Sequence, residues 1–147
     1  MRTIKFRGKH LCGQWYYGNL IIRETDSPVP ETPCSYKCVL IGDVEDGSEE
    51  EVEEETVGQF TGLLDTNGKE MYEGDILYVP EDTFNAEMKC VVEWNRDGFV
   101  ARSLRSGGSS LLSWALKKDH ATKHYVRPTK VIDNIHDNPE LLKGGQE

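Results

Sequence analysis

Two dipeptides, Asn67-Gly68 and Asp97-Gly98, each fall between short apolar runs and constrain how the flanking chain can be folded. Asn-Gly and Asp-Gly tolerate the positive φ of a tight turn, the connection that joins antiparallel strands. The stretch "TGLLDTNGKEMYEGDILYV" therefore reads as two strands, around "FTGLL" and "EGDILYV", with a turn that Asp65 caps through its side chain. In the second strand Ile76 and Tyr78 alternate with Leu77 and Val79. Glu73 and Asp75 stand two apart, as a catalytic pair would. Gly74 between them predicts a bulge, and carboxylates beside a turn are expected in solvent.

The same period of two runs through most of the chain. "TIKFRGKH", the turn "CGQ" and "WYYGNLII" read as an N-terminal hairpin. Residues 25–33, "TDSPVPETP", hold three prolines and form a loop. "YKCVLIG" is a third strand, and "TVGQFTGLL" a fourth, its glycines 58 and 62 marking bulges or bends. "EMKCVVEW" and "FVARSL" flank the Asp97-Gly98 turn, and "TKVIDNI" is the last strand. "LLSWALKK" suits a short helix or a strand equally. "DNPELLK" reads as a short helix with Asn138 as N-cap and Pro139 in the first position. With three Trp, six Tyr and four Phe, a core can be built. No apolar run reaches membrane-spanning length and no apolar leader follows Met1, so a membrane partner is not expected.

The formal charge of −9 is distributed in blocks. Residues 43–55, "DVEDGSEEEVEEE", carry nine carboxylates, and without them the 17 Lys and Arg are balanced. Residues 1–23 hold five bases and no acid; residues 101–130 hold seven bases against Asp119. Like charges repel, so the acidic run is expected to be a solvated, poorly packed loop. It lacks the ordered offsets of a calcium loop.

Four cysteines and four histidines invite a search for metal or catalytic chemistry. His10, Cys12, Cys34 and Cys38 suffice in number for zinc, but His10 and Cys12 are too close for an ordinary structural site. Free thiols in a reducing cytoplasm are the expectation. Pro80-Glu81 and Glu87-Met88-Lys89 echo a metal-dependent nuclease at short spacing, without its structural context. There is no nucleophile elbow or phosphate loop. The chain is expected to be non-enzymatic, with no cofactor and no metal.

"TIKFRGK", "QWYYGNLI", "ETVGQFTGLLDTNGKEMYEGDIL", "VVEW" and "IDNIHDNPELL", in this order, resemble the YopX family of phage and prophage proteins. The resemblance spans nearly the whole chain. Asp133 stands where the family pattern has glycine, and the acidic run resembles an insertion. The resemblance implies a cytoplasmic protein of phage or a bacterial host, largely β, with an SH3-like small β-barrel toward the C-terminus and self-association. It carries over no catalytic residue. The expected organisation is an N-terminal β region over residues 1–55 and an SH3-like barrel with a short C-terminal helix over residues 56–147, with one compact unit as the alternative.

Three functions suit this outline. The first is an accessory protein that binds nucleic acid through Arg102, Arg105, Lys117, Lys118, Lys123 and Arg127, with Trp114 and Tyr125 for stacking. An ordinary solvated face accounts for the same basic stretch. The second is a protein-interaction module that engages a host factor through the acidic loop, and the third a metal-dependent nuclease.

Overall fold

The computed structural model describes residues 3–26, 31, 35–80, 87–96, 98–105, 107–111 and 129–146. The protein is mainly β, and its strands pair antiparallel in two sheets. It comprises two compact units, Met1–Gln59 and Phe60–Glu147.

In the first unit, strands β1 (Phe6–Lys9), β2 (Trp15–Asp26), β3 (Ser35–Gly42) and β4 (Glu49–Glu51) are followed by a 3₁₀ turn at Glu54–Thr56. Strand β5 (Gly58–Leu64) then begins, and the spatial order is β4-β3-β2-β1-β5. β1 opposes β2 with Phe6 facing Gly18 and Lys9 facing Trp15. Alternation puts Val39 and Ile41 inward, where they meet Val52, Phe6, Tyr16, Leu20 and Val57. Two glycines make room for this small core. A Cβ on Gly8 would lie 2.6 Å from a Val52 methyl, and one on Gly18 would lie 2.0 Å from the Gly42 carbonyl oxygen.

The acidic run is not the loose loop that like-charge repulsion predicts. Residues 43–48 form a closed turn, β4 pairs with β3, and Val52 is buried. The reason is that four of the nine carboxylates have partners. Asp43 and Asp46 accept backbone amide hydrogens, Glu49 pairs with Arg23 at 2.9 Å, and Glu54 pairs with Lys37. These contacts reduce the repulsion, and Val52 supplies an apolar anchor.

In the second unit β5 continues and pairs with β6 (Glu70–Tyr72), with a register shift between Phe60 and Leu64 around Gly62. Strands β7 (Asp75–Pro80), β8 (Glu87–Asn95), β9 (Gly98–Ser103), β10 (Ser109–Leu111) and β11 (Lys130–Asn134) form the second sheet, ordered β10-β9-β8-β7-β11. Met71, Leu77, Val79, Cys90, Val92 and Ala101 make its core, joined by Leu63, Met88, Phe99 and Val131. The edge strands β10 and β11 do not pair with each other, so the described residues form an open sheet and no closed barrel.

The Asn67-Gly68 turn forms as the sequence predicts, with Asp65 as its cap. Asp65 Oδ1 accepts hydrogen bonds from the amides of Asn67 and Lys69, both at 2.8 Å. Asp75 departs from expectation. It is 2% exposed, and its Oδ2 accepts the Tyr72 amide at 2.8 Å, so it holds the Glu73-Gly74 turn instead of facing solvent. At the C-terminus, Pro139–Gln146 is 3₁₀ and not α, starting with the Leu141 amide donating to the Asn138 carbonyl. The Asn138 carboxamide does not cap this helix; it donates to Asp133.

Candidate functional site

The first unit carries a cleft of about 340 Å³ where the start of β2 meets the 43–48 turn and β4. Pairing builds it. β3 places Ile41 opposite Leu20 on one side and opposite Glu50 on the other, so Glu50 joins the wall through register. Trp15, Tyr16 and Tyr17 supply aromatic surface, and Asp43 and Asp46 supply carboxylates from the turn. Asp43 Oδ1 accepts the amides of Glu45 at 2.7 Å and Asp46 at 3.1 Å; Asp46 Oδ1 accepts that of Ser48 at 2.7 Å. The second oxygen of Asp43 and the whole Glu50 carboxylate make no hydrogen bond or ion pair among the described residues, whereas Asp46 is held by both the amide and the side chain of Ser48.

Asp43, Asp46 and Glu50 give the cleft a negatively charged lining. Burial raises the Tyr16 phenol above its ordinary range, and the charges of Glu50 and then Cys12 add to the rise. The hydrogen bond to Ser48 holds the Asp46 carboxyl below the usual range, so it is ionised near neutral pH. On the same aromatic cluster the Arg7 guanidinium carbon lies 4.7 Å from the Trp15 ring centre, an intramolecular cation–π contact. A smaller recess of about 200 Å³, lined by His10, Leu11, Glu51, Val52 and Glu53, lies in the same unit.

The residues singled out in the sequence are distributed differently. Arg102 is gripped across β8 and β9 by Glu93, with Nη2 at 2.7 Å and Nε at 3.0 Å from Oε1. This hydrogen bond raises the Arg102 pKa further and neutralises the charge. Arg105 is exposed in the turn after β9. Lys117, Lys118, Lys123 and Arg127, with Trp114 and Tyr125, lie outside the described residues. Of the zinc candidates, His10 Nδ1 accepts the Cys12 amide at 3.0 Å, and Cys38 Sγ accepts the Thr25 hydroxyl at 3.7 Å. Cys34 lies outside the described residues, as do Glu81 and the side chain of Glu87 in the nuclease-like stretch.

Sequence reasoning missed the cleft. "WYY" and the acidic run were each visible, but only the β2–β3–β4 register brings them together across some thirty residues.

Fold and cleft together define a mainly β protein of two antiparallel sheets with an anionic, aromatic recess. The family described as YopX protein matches residues 5–143. The chain belongs to the YopX family. Among solved structures it is similar to the crystal structure of protein EF1440 from Enterococcus faecalis, with a TM-score of 0.51 and 22% identity. That likeness covers 97% of this chain and 99% of the other, and it shows a shared fold. No curated protein matches the chain.

Proposed function

We propose that the protein is a non-catalytic interaction module that binds a basic segment of a partner protein through the cleft of its first unit. The observation that carries this reading is the convergence of Asp43, Asp46 and Glu50 with Trp15, Tyr16 and Tyr17 on one recess. Carboxylates with unused acceptor capacity beside aromatic faces suit cationic side chains, and such complementarity speeds encounter and suppresses wrong partners. The resemblance to phage and prophage proteins supports placing it in a bacterial cytoplasm, where a host factor is the partner. The free thiols of Cys12, Cys38 and Cys90 suit that reducing compartment. Exposed Tyr17, Ile22 and Tyr36 in β2 and β3 offer surface for self-association. The second unit, with its open five-stranded sheet, then serves as scaffold.

The test is affinity purification from bacterial extract with the wild-type protein and an Asp43→Asn, Asp46→Asn, Glu50→Gln variant. The reading expects a partner that the wild type retains, the variant loses, and that binds the purified wild type directly in a salt-sensitive manner. A partner retained equally by both proteins contradicts it.

The nucleic-acid reading is supported by exposed Arg105 and the basic composition of residues 101–130. It predicts salt-steep binding of DNA, followed by fluorescence anisotropy, that fails when Arg105, Lys117, Lys118, Lys123 and Arg127 are changed to Ala. It is the second reading, because Arg102 is already bonded to Glu93.

A further inference from the structure

We infer that the cleft of the first unit is specific for an arginine side chain carried by the partner polypeptide. This rests on the protein-interaction reading and narrows it to a ligand class. Among the described residues the lining holds three carboxylates and no basic residue, and the Arg7 guanidinium lies over the Trp15 ring. Asp43 spends one oxygen on the turn that it closes and keeps the other available, Asp46 is engaged by the amide and side chain of Ser48 but keeps its charge, and Glu50 keeps both oxygens. Asp43 and Glu50 thus line the cleft with unused acceptors, beside Trp15, Tyr16, Tyr17 and Ile41.

A guanidinium matches that combination better than an ammonium. It is planar, stacks on an aromatic face, and forks to a carboxylate with two parallel hydrogen bonds. An ammonium is more strongly hydrated and loses more on entering a half-enclosed recess. The molecule already performs this chemistry once, where Arg7 lies over Trp15. Phosphate-bearing ligands are repelled by the same carboxylates. A metal ion does not fit the arrangement either, because no three His, Cys, Asp or Glu side chains among the described residues are placed to hold one.

Three fluorescein-labelled peptides of equal length, (Gly-Arg)₄, (Gly-Lys)₄ and (Gly-citrulline)₄, distinguish the possibilities in anisotropy titrations with the full chain. The inference expects the arginine peptide to bind at least about tenfold more tightly than the citrulline peptide, which keeps the shape without the charge. It should also exceed the lysine peptide by about threefold or more. Raising salt weakens binding, and Glu50→Gln costs about tenfold while near-ultraviolet circular dichroism stays unchanged. Asp46→Asn keeps the acceptor for the Ser48 amide, so it removes charge while leaving the turn closed, and it should weaken binding as well. Equal binding of the arginine and lysine peptides overturns the specificity. Equal binding of arginine and citrulline, or none by the wild type, overturns the site. A partner that is lost from the neutralised variant while the arginine peptide fails to bind would sink this inference and leave the interaction module standing.

Discussion

The molecule uses one device twice, at residues 43–48 and at residues 65–69, with different consequences. In both turns an aspartate amide bonds across the turn, to Ser48 O at 2.7 Å in one and to Lys69 O at 2.8 Å in the other. In both, Oδ1 accepts two backbone amides, and a glycine sits at positive φ, +74° at Gly47 and +82° at Gly68. The difference is the second oxygen. Asp65 Oδ2 accepts the Val131 amide at 3.0 Å, and Asp65 is 2% exposed; Asp43 stays exposed with that oxygen open to solvent. Thr66 adds two bonds to the Thr129 carbonyl, at 3.0 Å from its amide and 2.8 Å from its hydroxyl. A turn closed on itself leaves acceptor capacity for a ligand; a turn tied to a distant strand spends it on the fold.

The largest expected effect follows from breaking the tied turn. Asp65→Ala strands three backbone amides in a buried setting and should cost about 3 kcal/mol or more in urea denaturation followed by far-ultraviolet circular dichroism. The same substitution should expose Cys90. Burial pushes that thiol to about 11, so a thiol reagent at pH 8 should label exposed Cys12 quickly and Cys90 slowly in the wild type. In Asp65→Ala, Cys90 labelling should speed up. A Cys90 that stays protected would mean that the turn contributes little to the second unit.

Val52→Ala comes next, at about 2 kcal/mol, because it opens a void over Gly8 in the small first core. If the acidic run were a loose loop, this change would be silent. Asp43→Ala should cost only about 1 kcal/mol or less, since the amides it releases can reach water. A loss as large as that of Asp65→Ala would erase the distinction between the turns.

Acid gives the mildest test. The hydrogen bond to Ser48 lowers the Asp46 pKa, and the hydrogen bond and charge of Arg23 lower that of Glu49. A carboxylate whose folded pKa is depressed stabilises the fold above its unfolded value, near pH 4, and loses that contribution as pH falls through the folded value. Amide chemical shifts of Ser48 and Glu49 should therefore move below about pH 4, with those of Asn67 and Lys69 serving as the comparison within the tied turn. Movement of Ser48 and Glu49 well above that pH would contradict the depressed values.

What was legible in the sequence was local. Asn67-Gly68 and Asp65 announced a turn and its cap, the register break fell at Gly62, and the pairing of β8 with β9 followed from the turn dipeptide between two apolar runs. What was illegible depended on distant partners. The order of the acidic run rests on Arg23, 26 residues before Glu49, and on Lys37, 17 before Glu54. Asp75 looked like one half of a solvated pair because nothing nearby announced its burial. The cleft was hidden for the same reason, since strand pairing and not spacing sets Glu50 beside Tyr16.

The bond from Val131 to Asp65 joins residues 66 apart. During synthesis the N-terminal part of the Asp65 turn, with both Oδ1 bonds, can form as soon as Lys69 has left the ribosome. The third bond must wait until Val131 emerges, several seconds later at about 5–20 residues per second. Until then Oδ2 faces solvent or a chaperone, and the second unit lacks the strand that completes one edge of its sheet. The fold is thus locked from its last strand backward, and a nascent chain stalled before residue 131 would carry a formed turn on an unfinished sheet.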